Sequence, residues 1–428
     1  MLVLTSGFIR FQLLHWSVGG LRGLLHQPVL LLVLLVIAAG TIWKHHLAAR
    51  VAAVIIAMTF PVALLTLAKI TLLCLNVTHL QECTYSPPPP PFLSVPEGQP
   101  RVLWIIFDET DFRLAFDRRP ASLRLPEFDR LRQEALYADD AYPPGDGTII
   151  SMPALITGRR LSWIGNDGCD LALTFADTGA TAEWSGLPSV FSQARDLGVN
   201  TALVGWFHPY SRVLGDSLNY CSWYAQPQFE PARSTTFGGA MQQQIASLVS
   251  FIHTRRLFIE VCQDSLNDAL SLVANPAYGL ILLHLPPPHD PWVYLPDKNE
   301  FTAWGIADPA GYFNNLGLAD HDLGDLRRKM ETAGQWDKTW VILSADHSWR
   351  LSKSYDGVRD YRVPFLIKST GAGQSLTYSN RFNTVLTHDL ILAILRGEVT
   401  NQPATATWLD THGKPELPVP GQFTSATR

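Results

Sequence analysis

Short apolar runs recur along the chain after residue 100, and four of them end in polar or acidic residues. Arg101–Phe107 (RVLWIIF) is followed by Asp108 and Glu109, and Asn200–Gly205 (NTALVG) by Trp206, Phe207 and His208. Gly279–Leu285 (GLILLHL) runs into Pro286-Pro287-Pro288-His289-Asp290-Pro291, and Thr339–Ser344 (TWVILS) into Ala345-Asp346-His347. Val363–Lys368 is a further run of this kind. Strands apolar on both faces belong in the middle of a sheet covered by helices. Helical stretches separate them: Pro126–Tyr137, Leu187–Leu197, Met241–Val261 and Asp320–Thr332. Asp320 and Asp322, ahead of Leu323-Gly324, read as residues of a helix start. The alternation predicts an α/β domain with a mostly parallel central sheet and helices on both faces. In such sheets ligands bind at the carboxyl ends of the strands, which is where the polar residues gather.

The N-terminal region has a different pattern. Pro28–Trp43 and Val51–Leu75 are nearly continuous apolar stretches, joined by the basic connector Lys44-His45-His46-Leu47-Ala48-Ala49-Arg50. They predict two transmembrane helices. The positive connector assigns that loop to the cytoplasm and the C-terminal domain to the extracytoplasmic (periplasmic or extracellular) side. Phe8–Gln27 reads as an interfacial helix. The polyproline run Ser86–Pro91 reads as a stiff spacer. The expected organisation is a membrane anchor over 1–80, a proline-rich linker over 81–97, a catalytic domain over 98–400 and a tail over 401–428.

Composition removes some partners. The net charge of −5, with no basic stripe interleaved with aromatics, gives no support for nucleic-acid binding. Five cysteines lack any CxxC spacing, so no zinc ribbon is expected. Cys83, Cys169, Cys221 and Cys262 lie outside the apolar spans and would permit disulfides in an oxidising compartment.

The candidate chemistry centres on Pro143-Pro144-Gly145-Asp146-Gly147-Thr148, a glycine- and proline-rich loop that delivers one hydroxyl to an apolar run ending at Gly158. If Thr148 opens a helix, the free N–H groups of its first turn favour an anion beside that hydroxyl. Around it, the strand ends bring Asp108, Glu109, His208, His289, Asp346 and His347. Each has an ordinary structural reading when taken singly. Together, at the tips of neighbouring strands, they can converge on one divalent cation. Such a cation would lower the pKa of the Thr148 hydroxyl and neutralise substrate oxygens. Mixed oxygen and nitrogen ligands suit zinc or manganese, with calcium or magnesium as alternatives.

These residues resemble the alkaline-phosphatase superfamily, in its sulfatase-like branch, over roughly Arg101 to Arg396. Asp108 and Glu109 match the acidic ligands after the first strand, and Asp346-His347 matches the later Asp-His. Pro288-His289-Asp290-Pro291 matches the proline-flanked histidine loop, and the helix–turn–strand from Ala194 to Gly205 precedes the histidine matched by His208. Leu155-Ile156-Thr157-Gly158-Arg159 is similar to the leucine-threonine-glycine-arginine tail that follows the nucleophile, which puts Thr148 at the nucleophile position. Sulfatases carry there a C-x-P-x-R pattern matured to formylglycine. This chain has Thr148, Ile150 and Met152, so formylglycine cannot form, and Trp206 stands in place of the sulfatase lysine. Thr148-x-x-Ser151-x-Pro153 instead resembles the membrane-bound phosphoethanolamine and phosphoglycerol transferases. The family's Asp-His-Gly is Asp346-His347-Ser348 here. The chain ends soon after the predicted helix Thr387–Leu395, so the C-terminal subdomain of large sulfatases is not expected.

The resemblance implies a membrane-anchored, metal-dependent phosphotransferase working through a phospho-threonine at Thr148. Asp108, Glu109, Asp346 and His347 would hold the metal, and His289 and His208 would hold substrate oxygens or protonate the leaving group. The donor would be a phospholipid or other phosphate ester and the acceptor a glycan or lipid. The alternatives are a phosphate- or sulfate-ester hydrolase and a catalytically silent binding module.

Overall fold

Strand β1, Arg101–Phe107, shows how the domain is organised. Its side chains alternate between two cores. Val102, Trp104 and Ile106 join one, and Leu103, Ile105 and Phe107 join the other. All six are fully buried, each worth about 1.5–3 kcal/mol, so the strand that presents Asp108 and Glu109 is pinned from both faces. The computed structural model describes residues 36, 40, 42–75, 87–95, 98–167, 170–226, 251–304, 306, 309–371, 373 and 375–413.

The other strands of the main sheet are β2 (Leu136–Ala138), β3 (Thr201–Trp206), β4 (Tyr220–Tyr224), β5 (Leu280–Leu285), β6 (Thr339–Ser344), β7 (Phe365–Lys368) and β8 (Leu376–Tyr378). They form an eight-stranded sheet in the order β8-β2-β7-β6-β1-β5-β3-β4. From β6 through β4 every pairing is parallel. Only β7 runs against its neighbours. The expected α/β fold with a largely parallel sheet is therefore present, with β1 at its centre between β5 and β6.

Outside the sheet, α1 is His45–Leu75, α2 Pro126–Glu134, α3 Thr148–Thr157, α4 Val190–Asp196, α5 Phe251–Val273, α6 Ala310–Thr332, α7 Thr387–Leu395 and α8 Gln402–His412. Apolar residues of α3, α4, α7 and α8 share the core containing Trp104. Those of α2, α5 and α6 share the core containing Phe107. The sheet is thus covered on both faces, as the apolar runs required.

Several expectations change. The helix expected over Pro126–Tyr137 ends at Glu134, because Leu136–Ala138 pairs between β7 and β8. Asp320 and Asp322 do not begin a helix but lie in the middle of α6. The Asp320 carboxylate instead caps a different helix, accepting from the N–H groups of Glu127 and Phe128 in the first turn of α2 at 3.0 and 2.8 Å. The predicted tail includes α8, whose Leu409 is buried in the core. Cys221 and Cys262 are free thiols, while Cys83 and Cys169 lie outside the described residues.

The polyproline run is strapped to the domain rather than standing clear of it. The Asn219 amide donates to the Pro90 and Pro91 carbonyls, and Arg195 also donates to Pro91. Asn200 exchanges hydrogen bonds with the backbone of Leu93.

The chain divides into two compact units, Met1–Glu82 with Met241–Val249, and Cys83–Ala240 with Ser250–Arg428. In the first, the connector expected as a loop is helical from His45, since Leu-Ala-Ala-Arg contains good helix formers and no breaker. Among the described residues no helix is long and apolar enough to cross a membrane, so the predicted spans are not confirmed. The interfacial helix expected over Phe8–Gln27 and most of the span expected over Pro28–Trp43 lie outside the described residues. Helix α1 nevertheless exposes Val51, Val54, Ile55, Ile56, Phe60, Leu64 and Leu67.

Candidate active site

Thr148 is the first residue of α3, after the extended residue Gly147. The helix closes its first turn with Ile150 and Ser151 donating to the Gly147 carbonyl, which leaves the N–H groups of Thr148 and Ile149 without an intrahelical acceptor. At the other end Gly158 adopts a left-handed conformation, φ 69°, which glycine tolerates without strain. The loop before Thr148 is clamped by Arg359, which pairs with Asp146 and donates to the carbonyls of Trp349 and Asp360. Two loops that lie far apart in sequence are joined there.

Four of the predicted residues, Asp108, Thr148, Asp346 and His347, meet at the strand ends. Thr148 Oγ1 donates to Asp108 Oδ2 at 3.1 Å and lies 3.4 Å from His347 Nε2. His347 Nε2 is also 3.4 Å from Asp108 Oδ1 and 3.5 Å from Asp346 Oδ2. The second Asp346 oxygen, Oδ1, accepts from the backbone N–H groups of Glu109 and His347. Asp108, Asp346 and His347 are fully buried, and Thr148 is only 5% exposed.

This group fits a divalent cation. The His347 Nδ1–H donates to the Ser348 carbonyl at 3.0 Å, which turns the Nε2 lone pair toward the carboxylates. Asp108 Oδ1 and Asp346 Oδ2 are buried with no hydrogen-bond partner. Three electron-pair donors thus meet with no proton between them, an arrangement that is costly unless a cation joins them. Burial and the neighbouring Asp108 push the Asp346 carboxyl upward. Burial opposes ionisation of Asp108 as well, but the nearby His289 and His284 outweigh it and hold that carboxyl well below the usual range.

Glu109 takes a separate position. It sits at φ 66°, a left-handed conformation uncommon for a non-glycine residue and often found at functional sites. Its Oε1 accepts from the Arg350 backbone N–H at 3.0 Å and from Nε at 3.3 Å. Glu109 also groups with His289 and Asp290 as a second possible metal set, but Arg350 already brings a cation to both Glu109 and His289. Burial raises the Glu109 carboxyl, and His289 and Arg350 more than reverse that shift.

His289 sits in the loop after β5, its carbonyl held by Asn315 at 3.0 Å. Its Nδ1 donates to the Asp290 carbonyl, leaving Nε2 3.3 Å from Arg350 Nη2. Burial lowers its pKa, but Asp108, Asp290 and Glu109 raise it to about 9. His208 has the opposite character. Burial pushes it down to about 3, so it is neutral, and its Nε2–H donates to the Thr148 carbonyl at 3.2 Å. It therefore fixes the backbone of the reactive residue.

Sequence reading missed three neighbours. Arg350 stands three residues after His347, close enough for Asp-His-x-x-Arg spacing to have drawn attention. His284 was hidden inside an apolar strand, yet its Nε2 lies 3.7 Å from Asp108 Oδ2. Its Nδ1 is 3.0 Å from the Tyr210 hydroxyl. Tyr210 reaches it by lying across Gly205, where an added Cβ would come within 2.5 Å of the ring. No local pattern announces that contact.

Comparison with known proteins gives a family match and several similar folds. The model of the Sulfatase family matches residues 100–396. No curated protein matches the chain. Among solved structures, Ps i-CgsB in complex with k-i-k-neocarrahexaose is similar at 16% identity and TM-score 0.51, over 72% of this chain and 74% of that one. A protein in the alkaline phosphatase superfamily from Vibrio parahaemolyticus shares 15% identity at TM-score 0.45, over 75% of each chain. Phosphonate monoester hydrolase of Agrobacterium radiobacter shares 13% at TM-score 0.44, over 69% of this chain and 74% of that one.

Proposed function

The chain belongs to the sulfatase family, an enzyme class acting on sulfate or phosphate esters, and on that premise we propose that it is a metal-dependent phosphotransferase with Thr148 as nucleophile. The observation that carries this reading is a hydroxyl, not a cysteine, at the start of α3 and 3.1 Å from Asp108. Asp108, Asp346 and His347 would hold the ion, while the carboxylate of Glu109, expected as a fourth ligand, is engaged by Arg350. A divalent cation there supplies Lewis acidity, lowering the pKa of a neighbouring hydroxyl and offsetting charge on ester oxygens.

The chain's own groups do the rest. Thr148 Oγ attacks phosphorus while its proton leaves toward Asp108 Oδ2. The Oγ–P bond forms, the bond to the leaving oxygen breaks, and His289 supplies that oxygen with a proton. His208 keeps the Thr148 backbone in place. An acceptor hydroxyl of a glycan or lipid then attacks phosphorus as His289 takes its proton; the Oγ–P bond breaks, Asp108 returns a proton to Thr148 Oγ, and the acceptor carries the group away. Water in the acceptor's place gives a hydrolase.

The test uses the full chain in detergent with zinc or manganese. It compares bis(p-nitrophenyl) phosphate with p-nitrophenyl sulfate, and then phospholipid extracts with and without a glycan or lipid acceptor. Turnover of the phosphodiester above the sulfate, with acceptor-dependent head-group transfer, is the expected result. Preference for the sulfate would sink the phosphotransferase reading.

A membrane-bound location with the catalytic domain on the extracytoplasmic side belongs to the same proposal. Its support is the apolar surface of α1, which is unfavourable in water, together with the basic connector. The chain is expected to stay with the membrane fraction through carbonate extraction, and its release into the supernatant would contradict an anchor.

A further inference from the structure

We propose that Arg350 is the anion-binding residue of this site, its guanidinium receiving the non-bridging oxygens of the ester that Thr148 attacks. This inference rests on the ester-transfer reading above and adds a residue to it.

Position is the first argument. Arg350 follows the Asp346-His347 turn, and its backbone N–H and Nε both bind Glu109 Oε1, at 3.0 and 3.3 Å. Nη2 is 3.3 Å from His289 Nε2. Nη1 lies 4.0 Å from where a Cβ on Gly147 would stand. The guanidinium therefore hangs beside the peptide that leads into Thr148.

The second argument is what remains free. Nη1 makes no hydrogen bond to a described residue, and the side chain is 48% exposed although its stem is tethered by Glu109. A guanidinium held through Nε, with its own backbone N–H on the same Glu109 oxygen, is pre-organised and still has donors to offer an oxyanion. Glu109 fixes the direction of the fork without using up its donors.

The third is the lack of a competitor. Among the described residues, only Glu109 and His289 of the site have an arginine or lysine nitrogen within hydrogen-bond distance, and in both cases it belongs to Arg350. Arg359 is spent on Asp146 and backbone carbonyls. Helix α3 contributes no cation, since Thr148–Thr157 contains no lysine or arginine. Trp206 is also buried, its ring 5.0 Å from that of His289. Transfer of an anionic group needs donors aimed at its equatorial oxygens, and Arg350 is the side chain in position to supply them.

The experiment measures inorganic phosphate binding and bis(p-nitrophenyl) phosphate turnover by the zinc-loaded full chain, for wild type, Arg350→Ala, Arg350→Gln and Arg350→Lys. Zinc stoichiometry is recorded for each. Loss of a charge-assisted bond predicts about 10- to 100-fold weaker phosphate binding in Arg350→Ala at unchanged zinc content. Arg350→Gln, which can still donate to Glu109, is expected to bind as weakly, which separates anion binding from local folding. Arg350→Lys should recover only part of the affinity. Added guanidinium should restore turnover to Arg350→Ala and not to Thr148→Ala. Phosphate affinity within twofold of wild type in both Arg350→Ala and Arg350→Gln would overturn the assignment. If wild type binds phosphate through Arg350 yet turns over no ester, the anion site stands and the transferase reading falls.

Discussion

Thr148→Ala is expected to lose ester turnover by on the order of 10⁴-fold or more, as removal of a covalent nucleophile does elsewhere. The change is small in structural terms. Thr148 is nearly buried, its Oγ1 donates to Asp108, and the backbone that positions it is held by His208 and by the first turn of α3. Alanine should therefore leave the fold and the metal content close to wild type. Thr148→Ser keeps the oxygen and gives up one methyl, so it should retain activity within about 100-fold of wild type. Steady-state kcat on bis(p-nitrophenyl) phosphate, with metal content measured alongside, checks both. An alanine variant within tenfold of wild type would mean that the hydroxyl positions something else.

Removal of the metal is expected to have an effect of comparable size. Chelation should silence the enzyme, and zinc or manganese should restore it. Stability should follow. Without a cation, Asp108 Oδ1, Asp346 Oδ2 and the His347 lone pair crowd one buried point. Saturating ion at about 100 times its Kd contributes about 2.7 kcal/mol of apparent stability. Asp346→Asn separates the two terms. It removes one of the like charges while Oδ1 can still accept from Glu109 and His347, so the metal-free variant should melt above metal-free wild type. With metal present the order should reverse. Thermal unfolding of the two proteins in chelator and in zinc provides the four values. A metal-free Asp346→Asn that melts well below metal-free wild type would contradict the cation-site reading.

Much of this site was legible because each apolar run ends where its strand ends. Once β1, β3, β5 and β6 were recognised, Asp108, His208, His289, Asp346 and His347 had to lie on one edge of a parallel sheet. Their roles were less legible, because a role depends on where a side chain points after the strand. Glu109 and Phe207 leave β1 and β3 with positive φ, and the first of these turns swings a carboxylate toward Arg350 instead of the Asp108 group. His208 was expected at substrate, but its hydrogen bond goes to the Thr148 carbonyl. Asp320 looked like a helix start and does cap a helix, though one distant in sequence. Such contacts are fixed by tertiary packing, which no local pattern contains. The strapped proline run is a similar case, since composition gives its stiffness but not its partners.

The most direct test of the central claim is the intact mass of the full chain, quenched during turnover of a phosphodiester with metal present, for wild type and Thr148→Ala. A metal-dependent mass increase equal to the transferred group, mapped to the peptide containing Thr148 and absent from the alanine variant, is the predicted result. Turnover by the alanine variant at the wild-type rate, with no adduct on either protein, would contradict it.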